Sequence, residues 1–312
     1  MIMESSVPTD TNSKLAIEVN GLVKSYGKVR ALRGIDITVH CCEIFGFLGP
    51  NGAGKTTAIR CMLDMIRPDN GTIHLMDIDA QLNPVAVQAF TGYLPGEMQY
   101  YDNFTPERQL RFFNDMRGGC AEWEYVKQLA DRLSLDLKQP IKNLSKGNKQ
   151  KVGIIQAIMH RPKLLLLDEP TSGLDPLMQQ EVLGLLREAN ANGATVFFSS
   201  HIMSEVESLA ERVAIIRSGE IAEVTNTSNL THSSINRITI RFKQPVDFTV
   251  LIELRGIEFL SQVDQTSLTL QVTGDMEHLV QTLGGMPVLD LETERPSLEE
   301  AFLTYYKKDA LS

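Results

Sequence analysis

A glycine-rich loop between an apolar strand and a helix is the feature that most constrains this 312-residue chain. Residues 44–48 form a continuous apolar run, and residues 57–66 carry apolar side chains at helical spacing. In such a loop, backbone N–H groups turn toward phosphate oxygens, a lysine reaches the terminal phosphates and the next hydroxyl binds magnesium. An ordinary glycine-rich turn is the alternative. We expect phosphate contacts from Gly49, Pro50, Asn51, Gly52, Ala53, Gly54, Lys55, Thr56 and Thr57.

Two carboxylates follow the most apolar strand of the chain. Residues 164–167 are four leucines, and Asp168 and Glu169 come directly after them. Parallel α/β sheets place their ligand sites at the carboxyl ends of the strands. We therefore expect Asp168 to hold magnesium together with Thr56, and Glu169 to accept a proton from the attacking water. The alternative is a pair of solvated carboxylates without a function.

Strands and helices alternate through most of the chain, which predicts an α/β domain with a parallel sheet core over residues 15–224. Short strands at 16–19, 22–25 and 35–39 predict an antiparallel edge sheet. Thr105, as N-cap before Pro106, predicts the first helix of a helical insertion over about residues 96–160. Buried strands are predicted at 163–167, 194–199 and 213–216, with helices at 177–190 and 202–210.

The texture of the sequence changes after residue 224. A Ser-, Thr- and Asn-rich stretch at 225–236 predicts a linker, and residues 237–312 predict a small α+β accessory domain. Its elements are expected at 237–242, 247–254, 257–263, 268–272, 275–283 and 288–291 in the order βαββαβ. That order is typical of a ferredoxin-like sandwich. Ser297 and Glu300 would open a final helix as a capping box.

Composition excludes several functional classes. A net charge of −9 argues against a nucleic-acid partner, which requires a basic face. The four cysteines have neither zinc-ligand nor disulfide spacing, which favours a reduced compartment. No apolar run approaches the ~18 residues of a membrane helix. Residues 1–14 are polar and predict a disordered tail rather than a signal peptide.

A further motif carries a family resemblance. Leu144-Ser145-Lys146-Gly147-Asn148 precedes the Asp-Glu strand, and this layout over about residues 15–221 resembles the ATP-binding subunit of ABC transporters, a P-loop NTPase, whose signature reads LSGGQ. The resemblance implies that Ser145 and Gly147 contact the γ-phosphate bound by a second subunit. Ser145 could instead act only as a helix cap. Lys146, which replaces a glycine, would either approach that γ-phosphate or point into solvent.

Other positions match the family in order. By resemblance, Asp175 lies in the loop that touches the partner subunit, His201 contacts the γ-phosphate and fixes the geometry of Glu169, and Tyr26 stacks on adenine. Core packing is the alternative for Tyr26. The family glutamine that senses magnesium is missing after Pro95, where Gly96-Glu97 stands. Glu97 or Gln99 would have to replace it, and residues 96–104 would form the loop that couples to the membrane subunit.

The resemblance implies an ATP-hydrolysing subunit with ATP and Mg²⁺ as cofactors. A guanine-binding Asn-Lys-x-Asp motif is missing from the sequence, so we expect ATP rather than GTP. The chain is similar to bacterial exporter subunits that pair with a separate membrane permease, form homodimers and lie on the cytoplasmic face of the membrane. Drugs, antibiotics or lipids are the usual cargo. The alternative is a soluble, non-transport ABC ATPase that acts on ribosomes or DNA.

Overall fold

The computed structural model describes residues 14–101, 103–227, 235–252, 254–274 and 276–294. Residue contacts divide the chain into two compact units, with the division between Thr225 and Asn226. Most of the predicted tail, part of the predicted linker and the helix predicted from Ser297 and Glu300 lie outside the described residues. The domain bounds 15–224 and 237–312 therefore stay predictions.

An antiparallel sheet forms one layer of the first unit, as predicted. Its strands are β1 (Leu15–Tyr26), β2 (Val29–His40), β4 (Asn70–Leu75) and β5 (Ile78–Asp79), in the order β2-β1-β4-β5. The two short strands predicted at 16–19 and 22–25 are one strand, β1. Its register shifts between Val19 and Leu22, where Gly21 has a φ of 57° and its N–H donates to Asp36. A bulge of this kind interrupts the pattern without ending the strand.

A six-stranded sheet forms the centre of the first unit and has the order β10-β9-β3-β8-β7-β6. These strands are β3 (Ile44–Leu48), β6 (Thr91–Leu94), β7 (Leu164–Asp168), β8 (Thr195–Ser200), β9 (Arg212–Arg217) and β10 (Glu220–Asn226). The pairs β3–β8, β3–β9, β6–β7 and β7–β8 are parallel, which confirms the predicted parallel core. The carboxyl ends of β3, β7 and β8 therefore meet at one edge.

Seven helices accompany these sheets in the described part of the first unit. They are α1 (Lys55–Met62), α2 (Pro84–Phe90), α3 (Pro106–Met116), α4 (Trp123–Arg132), α5 (Lys146–Ile158), α6 (Pro176–Ala191) and α7 (Met203–Leu209). Thr105 caps α3 by accepting from the N–H of Arg108, as predicted. The helix predicted at 57–66 runs from Lys55 to Met62 instead. It ends there because the chain leaves the helical conformation at Asp64, which has a left-handed φ of 53°.

The core of the first unit lies between its two sheets. Phe197 on β8 stacks on Phe45 and contacts Phe47, both on β3, and all three rings are fully buried. Ile17 and Leu22 of β1 belong to the same cluster. Each large side chain buried in this way contributes about 1.5–3 kcal/mol. This packing fixes β3 and β8, whose ends carry two of the predicted loops.

The second unit has the predicted order βαββαβ. Its elements are β11 (Ile235–Phe242), α8 (Thr249–Ile252), β12 (Ile257–Asp264), β13 (Ser267–Thr273), α9 (Glu277–Leu283) and β14 (Val288–Glu294). The strands lie antiparallel in the order β12-β13-β11-β14, the arrangement of a ferredoxin-like sandwich. Helix α8 is shorter than predicted, because Asp247 accepts from the N–H and hydroxyl of Thr249 and lies before the helix.

None of the described helices is long and apolar enough to cross a membrane.

Candidate functional site

The glycine-rich loop connects β3 to α1, and its geometry requires glycine at two positions. A Cβ on Gly49 would lie 2.3 Å from the carbonyl oxygen of Ile216, and a Cβ on Gly54 would lie 2.6 Å from that of Ala31. Gly54 also has a φ of 114°, which residues other than glycine rarely adopt. The loop is therefore held against β9 and β2 while it leads into the amino end of α1. Free N–H groups at such a helix end favour an anion.

Lys55 follows this loop as the first residue of α1 and is buried, with 5% of its surface exposed. Its Nζ donates to the carbonyl oxygens of Gly49 at 2.5 Å and Pro50 at 3.2 Å. The same nitrogen lies 3.5 Å from Oε1 of Glu169. Burial lowers the pKa of Lys55, against a smaller opposing effect of Glu169. A buried ammonium with flexible donors is suited to a phosphate, which supplies stronger acceptors than carbonyl oxygens.

Thr56 and Asp168, the two residues predicted to hold magnesium, are in contact. The hydroxyl of Thr56 donates to Oδ2 of Asp168 at 2.6 Å, and the hydroxyl of Ser199 donates to Oδ1 at 2.5 Å. Asp168 is almost fully buried. Carboxylate and hydroxyl oxygens suit Mg²⁺, which usually binds through one or two carboxylates together with substrate phosphates. No cluster of three or more His, Cys, Asp or Glu side chains that could hold a metal ion occurs among the described residues.

Gly96 is the loop residue that lies beside this pair. A Cβ at position 96 would be 2.9 Å from Oδ2 of Asp168, whereas Glu97 and Gln99 are both exposed. Asp168 has little freedom to yield, because both of its oxygens accept hydrogen bonds. Gly96 is thus the residue of this loop whose backbone lies against Asp168, and neither Glu97 nor Gln99 gains support as a metal ligand from its position.

Glu169 and His201 form the second part of the site. Nδ1 of His201 lies 3.2 Å from Oε1 of Glu169. Glu169 has a left-handed φ of 49°, and its N–H donates to both the carbonyl and the hydroxyl oxygen of Ser199. A left-handed non-glycine residue carries strain that the surrounding contacts must hold. The arrangement turns the Glu169 carboxylate toward Lys55 and His201.

Ser145, Gly147 and Asp175 lie at helix starts. The Ser145 hydroxyl accepts from the N–H of Asn148 at 3.2 Å, and Asp175 accepts from the first N–H groups of α6. Both side chains thus act as helix caps within the chain. Gly147 lies against the loop before α6, because its Cβ would be 2.8 Å from the carbonyl oxygen of Gly173. Among the described residues, no hydrogen bond joins Ser145 or Gly147 to the loop 49–56 of the same chain.

Tyr26 lies at the end of β1 and is 49% exposed, which argues against a purely core-packing role. The Nζ of Lys24 lies 5.8 Å from the centre of its ring. An exposed aromatic ring can stack on a nucleotide base. Its role toward adenine stays a prediction.

Sequence reasoning missed three polar residues that hold the site together. Ser199 bridges Asp168 and the N–H of Glu169. Gln150 on α5 donates to the carbonyl oxygens of Glu169 and Pro170, both at 3.1 Å. Glu205 on α7 accepts from two hydroxyls near Glu169 and His201. The sequence shows that Ser199 lies near the end of a buried strand. Its contact with Asp168, however, arises only because β8 lies next to β7.

Comparison with known proteins finds many relatives of this chain. The family model described as ABC transporter matches residues 32–172. The chain is 30% identical over 305 residues to the linearmycin resistance ATP-binding protein LnrL of Bacillus subtilis, covering 92% of this chain and 97% of the relative. It is 36% identical over 216 residues to the bacitracin transport ATP-binding protein BcrA of Enterococcus faecalis, covering 69% and 70% of the two chains.

Solved structures agree on the fold of the first unit. An ATP-binding subunit of an ABC transporter superposes with a TM-score of 0.62 at 29% identity, covering 69% of this chain and 91% of that chain. A dimeric ATP-binding cassette, solved after hydrolysis with ADP and Pi, gives a TM-score of 0.60 at 20% identity and covers 68% and 98%. The second of these likenesses concerns the fold alone.

Proposed function

Because the chain belongs to the ABC transporter family and is an ATP-hydrolysing subunit of it, we propose that it powers export of antibiotic- or drug-like molecules through a separate membrane permease. The observation that carries the proposal is the length of the similarity. LnrL of Bacillus subtilis and the daunorubicin resistance ATP-binding protein DrrA3 of Streptomyces coeruleorubidus each match over 92% of this chain, which includes most of the second unit.

We assign the site residues the following roles at the nucleotide. The loop 49–56 and Thr57 hold the phosphates, Lys55 contacts the terminal phosphates and Tyr26 stacks on the adenine. Thr56 and Asp168 hold magnesium, which would neutralise charge on the β- and γ-phosphates. Glu169 accepts a proton from the attacking water while His201 orients its carboxylate. The 3.2 Å contact between His201 and Glu169 and the burial of Lys55 support the roles proposed for these three residues.

A second copy of the chain completes the site in this proposal. Ser145 and Gly147 lie at the start of α5 and Asp175 at the start of α6, and the two starts lie close together because Gly147 is against the carbonyl of Gly173. The N–H groups at the start of α5 favour an anion such as a γ-phosphate. Two chains facing each other would each supply this surface to the nucleotide of the other. A single chain then binds ATP but hydrolyses it poorly.

An aromatic cluster on the helical insertion supports contact with a membrane permease. Tyr101 packs against Phe104 and Phe112, and Tyr101 and Phe112 are 51% and 39% exposed. Exposed apolar clusters of this kind mark interaction surfaces. Tyr101 and Phe104 follow Gly96, the residue beside Asp168, by five and eight positions in the sequence. The chain would then lie at the cytoplasmic face of the membrane through its permease.

The test uses the full chain expressed together with the membrane protein encoded beside it. We expect the two to co-purify from membranes and to protect cells against at least one of bacitracin, linearmycin and daunorubicin. Lys55→Ala should abolish protection without abolishing co-purification, and Lys138→Ala, an exposed lysine on the same unit, should do neither. Association with ribosomes or DNA instead of the membrane protein would favour the soluble ABC ATPase. Protection that survives Lys55→Ala would contradict ATP-driven export.

A further inference from the structure

Glu205 is a buried carboxylate that has no role among those proposed above. It lies in the first turn of α7, four residues after His201, and 7% of its surface is exposed. Within the part of the chain that the structure describes, no Lys, Arg or His nitrogen forms an ion pair with it. A buried charge without a cation is costly unless strong hydrogen bonds satisfy it. Its partners therefore indicate why a carboxylate stands at this position.

Two hydroxyls satisfy the Glu205 carboxylate, one from the loop after β7 and one from the last residue of β8, where the loop to α7 begins. The hydroxyl of Thr171 donates to Oε1 at 2.5 Å, and that of Ser200 donates to Oε2 at 2.6 Å. Thr171 and Ser200 are themselves buried, with 3% and 2% exposed. Hydrogen bonds to an ionised acceptor are roughly twice as strong as neutral ones. One side chain on α7 thus joins two loops that are 29 residues apart in sequence.

Each of these loops carries a residue of the hydrolytic pair. Thr171 comes two residues after Glu169, and Ser200 comes directly before His201. The Ser200 hydroxyl oxygen also accepts from the N–H of Ile202 at 2.9 Å, so it holds the chain on both sides of His201. The left-handed φ of Glu169 leaves that residue dependent on its neighbours for its conformation.

A cleft of about 170 Å³ places these groups on one surface. Glu169, His201, Thr171, Ser200 and Glu205 all line it. Because Thr171 and Ser200 lie close to Glu169 and His201 in the chain, a shift of either loop would change the distance between His201 Nδ1 and Glu169 Oε1, which is 3.2 Å.

We propose that Glu205 is a positioning residue for ATP hydrolysis, which ties the loop after Glu169 to the residue before His201 and so holds the Glu169–His201 pair in register. The inference rests on the proposed roles of Glu169 and His201. Misplacing a reacting group by about 1 Å can cost on the order of 100-fold in rate. Removal of the Glu205 carboxylate should accordingly lower kcat and leave ATP affinity nearly unchanged, because neither loop forms the glycine-rich loop 49–56.

The test compares Glu205→Ala with Glu205→Gln in the full chain. Alanine removes both acceptors and should lower kcat about 10- to 100-fold. Glutamine keeps the shape, accepts from one hydroxyl and donates to the other, so it should restore most of the rate. Ser204→Ala, an exposed neighbour on α7, is the matched control. Rates are measured per nucleotide-binding chain, so that a loss of folded protein alone leaves kcat unchanged.

A double-mutant cycle keeps the proposal falsifiable if Glu205→Ala does not fold. Thr171→Val and Ser200→Ala each remove one donor, and their losses in kcat should be non-additive because they act through one carboxylate. Wild-type kcat in Glu205→Ala, or additive losses in the cycle, would overturn the positioning role. Wild-type kcat in Glu169→Gln would instead overturn the proposed base, which separates the two failures.

Discussion

Oε1 of Glu169 lies 3.2 Å from Nδ1 of His201 and 3.5 Å from Nζ of Lys55. One carboxylate oxygen thus faces the residue proposed to orient it and the lysine proposed to bind the terminal phosphates. A phosphate that draws Lys55 toward itself competes for the lysine with Glu169 and with the carbonyl oxygens of Gly49 and Pro50. Binding of ATP should therefore leave the Glu169 carboxylate to His201 and the attacking water.

Replacement of Glu169 by glutamine tests this assignment. Glutamine keeps the shape of the side chain but does not accept a proton, so kcat should fall by roughly 10²- to 10⁴-fold. ATP affinity should be retained, because a negative charge near the phosphates is removed. Phosphate release and equilibrium nucleotide binding measure the two effects. Glu223→Gln, an exposed residue on β10, is the control, and an unchanged rate in Glu169→Gln would exclude Glu169 as the base.

Gly96→Ala and Glu97→Ala test whether the backbone at residue 96 or the side chain of Glu97 affects metal binding at Thr56 and Asp168. The new Cβ at 96 would lie 2.9 Å from Oδ2 of Asp168, the oxygen that accepts from Thr56. Disturbed support of a metal ligand typically lowers metal affinity about 10-fold or more. We expect this loss of metal affinity for Gly96→Ala. Electron paramagnetic resonance measures it as weaker Mn²⁺ binding in the presence of ADP, and ATPase assays measure it as a higher Mg²⁺ concentration needed for hydrolysis. Glu97→Ala should change neither, and a shift there would make Glu97 a ligand.

Local motifs made much of this site predictable. The loop 49–56 and the Asp168-Glu169 pair are contiguous, so their chemistry could be read without knowing the order of the strands. Ser199 could not be assigned in this way, because its contacts arise from β8 lying between β3 and β7. The contact of Gly96 with Asp168 likewise depends on β6 lying next to β7.

The fold was predictable in order but not at all boundaries. The antiparallel edge, the parallel core and the βαββαβ order of the second unit all follow from the spacing of apolar residues. The ends of elements depend on single backbone conformations, such as the left-handed φ of Asp64 after α1, or on local side-chain contacts, such as that of Asp247 before α8. Such features leave little signal in a hydrophobic pattern.

The stability of the first unit should depend on pH through His160. Burial, aided by the positive charge of Arg117, lowers the pKa of His160 from 6.5 to about 4, against a smaller effect of the Thr91 backbone. Below pH 6.5 the unfolded chain therefore binds a proton that the folded chain does not bind until about pH 4. The free energy of unfolding should fall as the pH decreases through this window.

The only tryptophan, Trp123 on α4, reports on this unit. Denaturant unfolding followed by its fluorescence should show a smaller loss of stability between pH 6.5 and 4 in His160→Gln than in the wild type. An equal loss in the two proteins would mean that other groups cause the acid sensitivity.

Two glutamines on α5, Gln150 and Gln156, should differ in how their replacement by methionine affects the stability of the first unit. Gln150 donates to the carbonyl oxygens of Glu169 and Pro170, whereas Oε1 of Gln156 is buried without a hydrogen-bond partner among the described residues. Gln150→Met leaves the Pro170 carbonyl unsatisfied and should destabilise the first unit by about 1–3 kcal/mol. Gln156→Met removes an unsatisfied polar atom at similar length, so stability should stay equal or rise.

Trp123 fluorescence during denaturant unfolding measures both variants under the same conditions, and α4 packs against α5, which carries the substitutions. The hydrogen bonds of Gln150 also fix the backbone at Glu169, so Gln150→Met should lower the rate of ATP hydrolysis more than Gln156→Met does. Equal effects of the two substitutions on stability and rate would show that the contacts of Gln150 with Glu169 and Pro170 contribute nothing beyond packing. A loss confined to stability would limit Gln150 to a structural role and leave Ser199 to hold the Glu169 backbone.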